Sequence, residues 1–206
     1  MPEPRTLPLS RLRRLIDLPD DAPVRIHTLQ SAEGIAAARD RGFLSGDRDS
    51  IETDWFLPAY EWMRDRMAER IPDFSGDLPV WAWARRPVVR KRRDASLRET
   101  RTRLTAMVPR RRILVSCFHD WHDCLNGMPI THGEEEWNAY EKAFPISDRC
   151  EEHRLYVQST WNRVFDFHHP RDAVMTEWRG SNLRVTPQLC VDRLYLDEVI
   201  AMRSYP

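Results

Sequence analysis

The chain has 206 residues, 41% hydrophobic and 31% charged, and its 32 basic and 32 acidic side chains cancel. That length suits one substantial core, because compact domains cluster near roughly 100–150 residues. A single domain over 23–206 is therefore expected behind an N-terminal arm, 1–22. No apolar run approaches the roughly 20 residues of a membrane-spanning helix, and the basic, proline-rich start lacks the apolar core of a secretion signal. A cytoplasmic protein is expected, with its four cysteines, none in a CxxC pair, as free thiols.

In chain order, "VRIHTLQ" alternates around Ile26 and predicts a strand. "SAEGIAAARDRG" follows as a helix, with Ser31 as N-cap and Gly42 as the left-handed residue that ends it. In "WFLPAYEWMRDRMAERIP" the residues Ala59, Met63, Met67 and Ile71 recur every four positions. That is a helix with one apolar stripe, begun near Pro58 and closed by Pro72. "LPVWAWARRP" predicts a short strand with Trp81 and Trp83 on one face. The basic stretch 85–103 has no clean period and reads as a long loop. "RLTAMVPRRRILVSCF" predicts two strand segments broken at Pro109, the second apolar enough to be central. Helices are expected at 121–126, at 134–143 and through "SDRCEEHRLYVQSTWNRVFDF". The last would be capped by Ser147 or Asp148, with Leu155, Val157, Trp161, Val164 and Phe165 on its apolar side. Two short strands around "LDE" close the chain. Strands near both ends with helices between them predict an α+β fold, a mixed and mainly antiparallel sheet packed with several helices.

Several segments together resemble a bacterial family catalogued as domain of unknown function 3841. They include "TLQ" at 28–30, "AYEWMRDRM" at 59–67, "VWAWA" at 80–84, "LRE" at 97–99, "VPRRRILVSCFHDWHDCLN" at 108–126, "STWNRVFD" at 159–166 and "QLCVDRLYLDEVIAM" at 188–202. The resemblance runs over roughly 24–203 and implies no reaction. This chain carries His27 where the family pattern has tryptophan. The strand–helix start is also similar to ADP-ribosyltransferase-like folds. In those, a His or Arg followed by Thr or Ser holds a nicotinamide dinucleotide and a later strand carries a catalytic glutamate; here that strand offers Gln188 and Asp192 instead.

Two histidines, two aspartates and a cysteine lie within "HDWHDC". The structural reading makes Asp120 the cap of a helix whose Trp121 and Leu125 enter the core. The functional reading aims His122, as acid–base group, and Asn126 into an aromatic-walled pocket. Trp81, Trp83, Trp121, Gln188 and His27 would complete that pocket, with Arg98 of "LRE" clamping an anion through its bidentate fork. Its expected ligand is an anionic, nucleotide-like small molecule, with group transfer or binding without turnover as rival outcomes and no cofactor assigned. A zinc-like set of His119, His122, Cys124, Cys150 and His153 is conceivable by donor chemistry, but no metal is expected. Residues 85–112 hold twelve basic side chains against Asp94 and Glu99, a local +10 (12 − 2). Such a run suits a nucleic acid as alternative partner, unless acidic residues elsewhere neutralise it within the fold or across a homodimer.

Overall fold

A computed structural model of the chain describes residues 5–51, 53–87, 101–145, 150–167 and 184–205. Its elements begin β1 (Leu7–Pro8), α1 (Leu9–Ile16), β2 (Pro23–Ser31), α2 (Ala32–Arg41), β3 (Phe43–Ser45), α3 (Leu57–Arg70), β4 (Val80–Ala82) and β5 (Arg101–Pro109). There follow β6 (Leu114–Cys117), α4 (Phe118–Leu125), α5 (Glu134–Ala143), α6 (Glu151–Thr160), β7 (Arg184–Val185), β8 (Pro187–Val191), β9 (Arg193–Tyr195) and β10 (Val199–Tyr205). The fold is α+β with mainly antiparallel pairing. It comprises two compact units, the first built from Met1–Arg5, Arg14–Val115 and Gln188–Pro206, the second from Thr6–Arg13 and Ser116–Pro187.

In the first unit β5 lies between β2 and β10, antiparallel to both. Register puts Ile26 opposite Ala106 and Val24 opposite Val108. These side chains and Leu104 are buried, so one face of this sheet is core. On the far side of β2, His27 and Trp83 exchange backbone hydrogen bonds of 2.9 and 2.8 Å and lead the sheet on to β4, β8 and β6 in that order. Every residue of β8 is buried, as a strand covered on both faces requires. The apolar stripe of α3 is also in place: Ala59, Met63, Met67 and Ile71 are all buried.

The chain end differs from expectation by one strand. β8 stops at Val191, and "LDE" is a 3₁₀ turn between β9 and β10. Buried Asp192 makes that break by accepting from the Ser75 N–H at 3.0 Å, while Arg112 bonds Glu198 at 2.5 Å and the Arg193 carbonyl at 2.6 Å. Arg101, Thr102 and Arg103 correct the loop expected over 85–103, because cross-strand pairing makes them the first residues of β5. Arg98, Ser147 and Asp148 lie outside the described residues, as does 88–100. The N-terminal arm carries the helix α1.

The second unit is helical, with a two-residue pairing of β1 and β7. Its centre is Tyr140, fully buried, whose hydroxyl meets His153 Nε2 at 2.9 Å and whose ring stacks on Tyr156. Arg163 ties α5 to the preceding loop by donating to Glu136 at 2.5 Å and to the Ile130 carbonyl at 2.7 Å. Two expectations are corrected. Helix α4 starts at Phe118, whose N–H is satisfied by the Thr186 carbonyl at 2.9 Å, so Asp120 sits within the first turn instead of capping it. Leu155 is 56% exposed because α6 buries the stripe of His153, Val157 and Thr160, and Leu155 is two residues, about 200°, from its start. The predicted longer helix tightens after Thr160 into a 3₁₀ turn, Trp161–Phe165. No helix among the described residues is long and apolar enough to cross a membrane.

Candidate functional site

The first unit holds a cleft of about 480 Å³, within the volume range of small-molecule sites. It forms where β2 turns into α2. Ser31 caps α2 by accepting from the Gly34 N–H at 3.1 Å, and Gly42, at φ 81°, closes it in the left-handed region. The cap brings Gln30, Ser31, Glu33 and Gly34 to one end of the cleft. A relay of side chains holds that end to β4: Gln30 Nε2 donates to Thr28 Oγ1 at 2.8 Å, and the Thr28 hydroxyl donates to the Trp81 carbonyl at 2.7 Å.

Trp81 and Tyr60, edge to face at 6.1 Å between centroids, form the aromatic wall. The lining segment Ser45 to Asp47 is set by a close approach. The Gly46 N–H donates to the Leu78 carbonyl at 3.1 Å, and a Cβ at Gly46 would lie 2.6 Å from that oxygen. Only glycine fits there without moving backbone. Near this segment, Arg193 bonds Asp77 at 2.6 Å and lies over the Phe43 ring at 4.2 Å.

Four charged groups line the space: Arg41 and Arg101, Glu33 and Asp47. Hydrogen bonds from the Glu33 backbone and from Ser31 hold the Glu33 carboxyl below its ordinary value, so it is ionised. Arg101 stands opposite Ser31 across the β2–β5 pair. Guanidinium forks, carboxylate acceptors and an apolar ring face thus line one concave site.

Of the residues expected in a pocket, Trp81 lines this cleft. His27, Trp83 and Gln188 are buried within the sheet of the same unit. The His27 Nδ1 lies 3.0 Å from Thr105 Oγ1, and burial, then the charges of Arg103, Arg86 and Arg25, lower its pKa to about 4. Trp121, His122 and Asn126 belong to α4 in the second unit, Trp121 being buried. His122 Nδ1 lies 2.7 Å from the Phe118 carbonyl, which can only accept, so Nδ1 carries a proton and donates to it. Asn126 is four residues on, as the spacing required, yet its amide donates to the His122 backbone carbonyl at 2.7 Å.

The histidines weighed for a metal have other neighbours: His119 Nε2 lies 3.2 Å from Thr186 Oγ1, and His153 meets Tyr140. Burial pushes the Cys124 thiol well up, while Cys150 is exposed. Among the described residues no three His, Cys, Asp or Glu side chains are grouped to hold a metal ion.

The chain matches the family model described as a domain of unknown function (DUF3841) over residues 25–186. It belongs to that family. No curated protein and no solved structure matches it. The DUF3841 match contains every cleft residue, from Leu29 to Arg101, and ends before Gln188, Asp192 and β10. Sequence reasoning missed Tyr60, Arg41, Asp47 and Gly46 as site residues. Tyr60 sits one residue past Ala59, off the apolar stripe of α3, and the "SGD" turn at 45–47 gives no sign of the segment it approaches.

Proposed function

We propose that the cleft binds an anionic, nucleotide-like small molecule. One observation carries the reading: an aromatic wall, two arginines and two carboxylates line one volume in the first unit. Such a set matches the three parts of a nucleotide. A base stacks on Trp81 and Tyr60, phosphate takes the guanidinium forks of Arg41 and Arg101, and ribose hydroxyls donate to Glu33 and Asp47. Trp81 keeps the aromatic role expected of it; the clamp was expected at Arg98, which lies outside the described residues, and in this reading Arg41 and Arg101 take that role.

Group transfer is the finer part of the proposal; His122, the acid–base group expected of the sequence, belongs to the second unit and does not line the cleft. The test is a melting-temperature screen of the full chain against mononucleotides, nicotinamide dinucleotide, a nucleoside and inorganic phosphate, since a ligand of the native state raises stability by mass action. Nucleotides are expected to raise the melting temperature, and Trp81→Ala or Arg41→Ala to cancel the rise. A screen in which no nucleotide at millimolar concentration shifts the melt overturns the binding reading. With a ligand in hand, its conversion by the full chain would establish group transfer; binding without conversion would leave a binding module.

A further inference from the structure

The sheet face opposite the core carries a ladder of arginines. Cross-strand register places Leu29, Arg103 and Arg203 in one row, Ser31, Arg101 and Tyr205 in the next, and Arg25 opposite Met107 further along. Side chains of directly opposed residues share a face. Arg103 and Arg203 are therefore adjacent like charges, and both guanidinium groups lie over the Tyr205 ring, at 5.5 and 5.3 Å.

Opposed like charges destabilise a strand pair unless an anion joins them. The three strands supply none: β2, β5 and β10 contain no Asp or Glu. Among the described residues no carboxylate pairs with Arg25, Arg86, Arg103 or Arg203, and Arg103 Nε is buried without a hydrogen-bond partner. The pKa of His27 is lowered first by burial and then by the charges of Arg103, Arg86 and Arg25.

We propose that this face binds a single-stranded nucleic acid, its phosphates on the arginine ladder and a base on Tyr205. Extent and chemistry favour this ligand over a lone phosphate. From the row of Arg25, across the buried His27–Thr105 row, to that of Arg101 is six residues of strand, roughly 20 Å at the usual rise, a distance of several nucleotides, whereas one phosphate fills one row. A ring flanked by guanidinium planes is a stacking platform of the kind that single strands use irrespective of sequence. Of the ladder's arginines only Arg101 also lines the cleft, where its rows meet at Leu29 and Ser31.

The test is fluorescence anisotropy of a labelled single-stranded RNA of about twelve nucleotides, within known site sizes, titrated with the full chain at several salt concentrations. Four ladder arginines predict that log K falls with log salt at a slope of about 3. Arg103→Ala with Arg203→Ala should weaken binding at least tenfold and roughly halve that slope. Arg203→Ala alone, on an exposed side chain, guards against misfolding and should lower it by about 0.7. Tyr205→Ala should weaken binding several-fold and Tyr205→Phe should not; Arg154→Ala, in the second unit, should change nothing. Trp81→Ala is expected to leave the RNA slope intact, which separates this site from the cleft. An unchanged affinity and slope in the double arginine variant, with an unchanged melt, overturns the proposal. So does equal binding of a duplex of the same sequence, or equal competition by a polyglutamate peptide.

Discussion

Burial, followed by the charges of Arg103, Arg86 and Arg25, takes the His27 imidazole from 6.5 to about 4. The unfolded chain then binds a proton that the native state refuses, so stability is whole above 6.5 and falls as pH drops toward 4. Each unit is worth about 1.4 kcal/mol, and the full loss is on the order of 3 kcal/mol. Glu198, raised above its ordinary value mainly by burial, works in the opposite direction, so the difference between wild type and His27→Asn isolates the histidine. Chemical denaturation at about pH 7 and pH 4.5 should show a smaller acid loss in the variant; parallel losses would remove His27 as the cause. Gly46 supplies a second residue-scale prediction. Gly46→Ala sets a methyl against the Leu78 backbone, and overpacking of this kind costs roughly 1–3 kcal/mol. A lower urea midpoint should be accompanied by weaker nucleotide binding, because the same approach fixes the lining at Ser45 and Asp47. His27 was legible as a strand residue, but its contact with Thr105, 78 residues away, was not.

At the scale of elements, the readings that held are those whose cause is local. The cap at Ser31, the left-handed Gly42 and the four-residue stripe of α3 all depend on neighbours within one or two turns. Met63→Ala should therefore cost about 2–5 kcal/mol, as truncation of a fully buried methionine does. Leu155→Ala on the exposed side of α6 should stay within about 0.5 kcal/mol. Thermal or urea melts of the two variants check the contrast, and a large effect at Leu155 would contradict the observed face of α6. Where periodicity was weak, the elements moved. Arg101 to Arg103 alternate with threonines, and without a visible partner they read as loop; β2 and β10 on either side make them strand. Native β5 should accordingly resist trypsin after Arg103 under conditions in which the exposed Arg154 of α6 is accessible, as mass spectrometry of early fragments would show.

For the molecule as a whole, 32 basic and 32 acidic residues and a pI near 7.1 predict least solubility close to neutrality, where net repulsion vanishes. Polyethylene glycol precipitation across about pH 5–9 should show a minimum near pH 7, and a monotonic profile would contradict it. Composition and local pattern, by themselves, determined the α+β class and the main helices with their buried stripes, and the resemblance of ordered segments pointed to the DUF3841 family. Class and helices follow from side-chain period and capping chemistry, which act over a few residues. Only the tertiary structure decided which charges share a site. Arg101 meets Ser31 and the cleft through strand register, Arg103 faces Arg203 across a hundred residues of chain, and Gly46 is required by the carbonyl of Leu78. Such neighbours are fixed by backbone hydrogen bonds between distant segments, whose pairing leaves no periodic trace in either one.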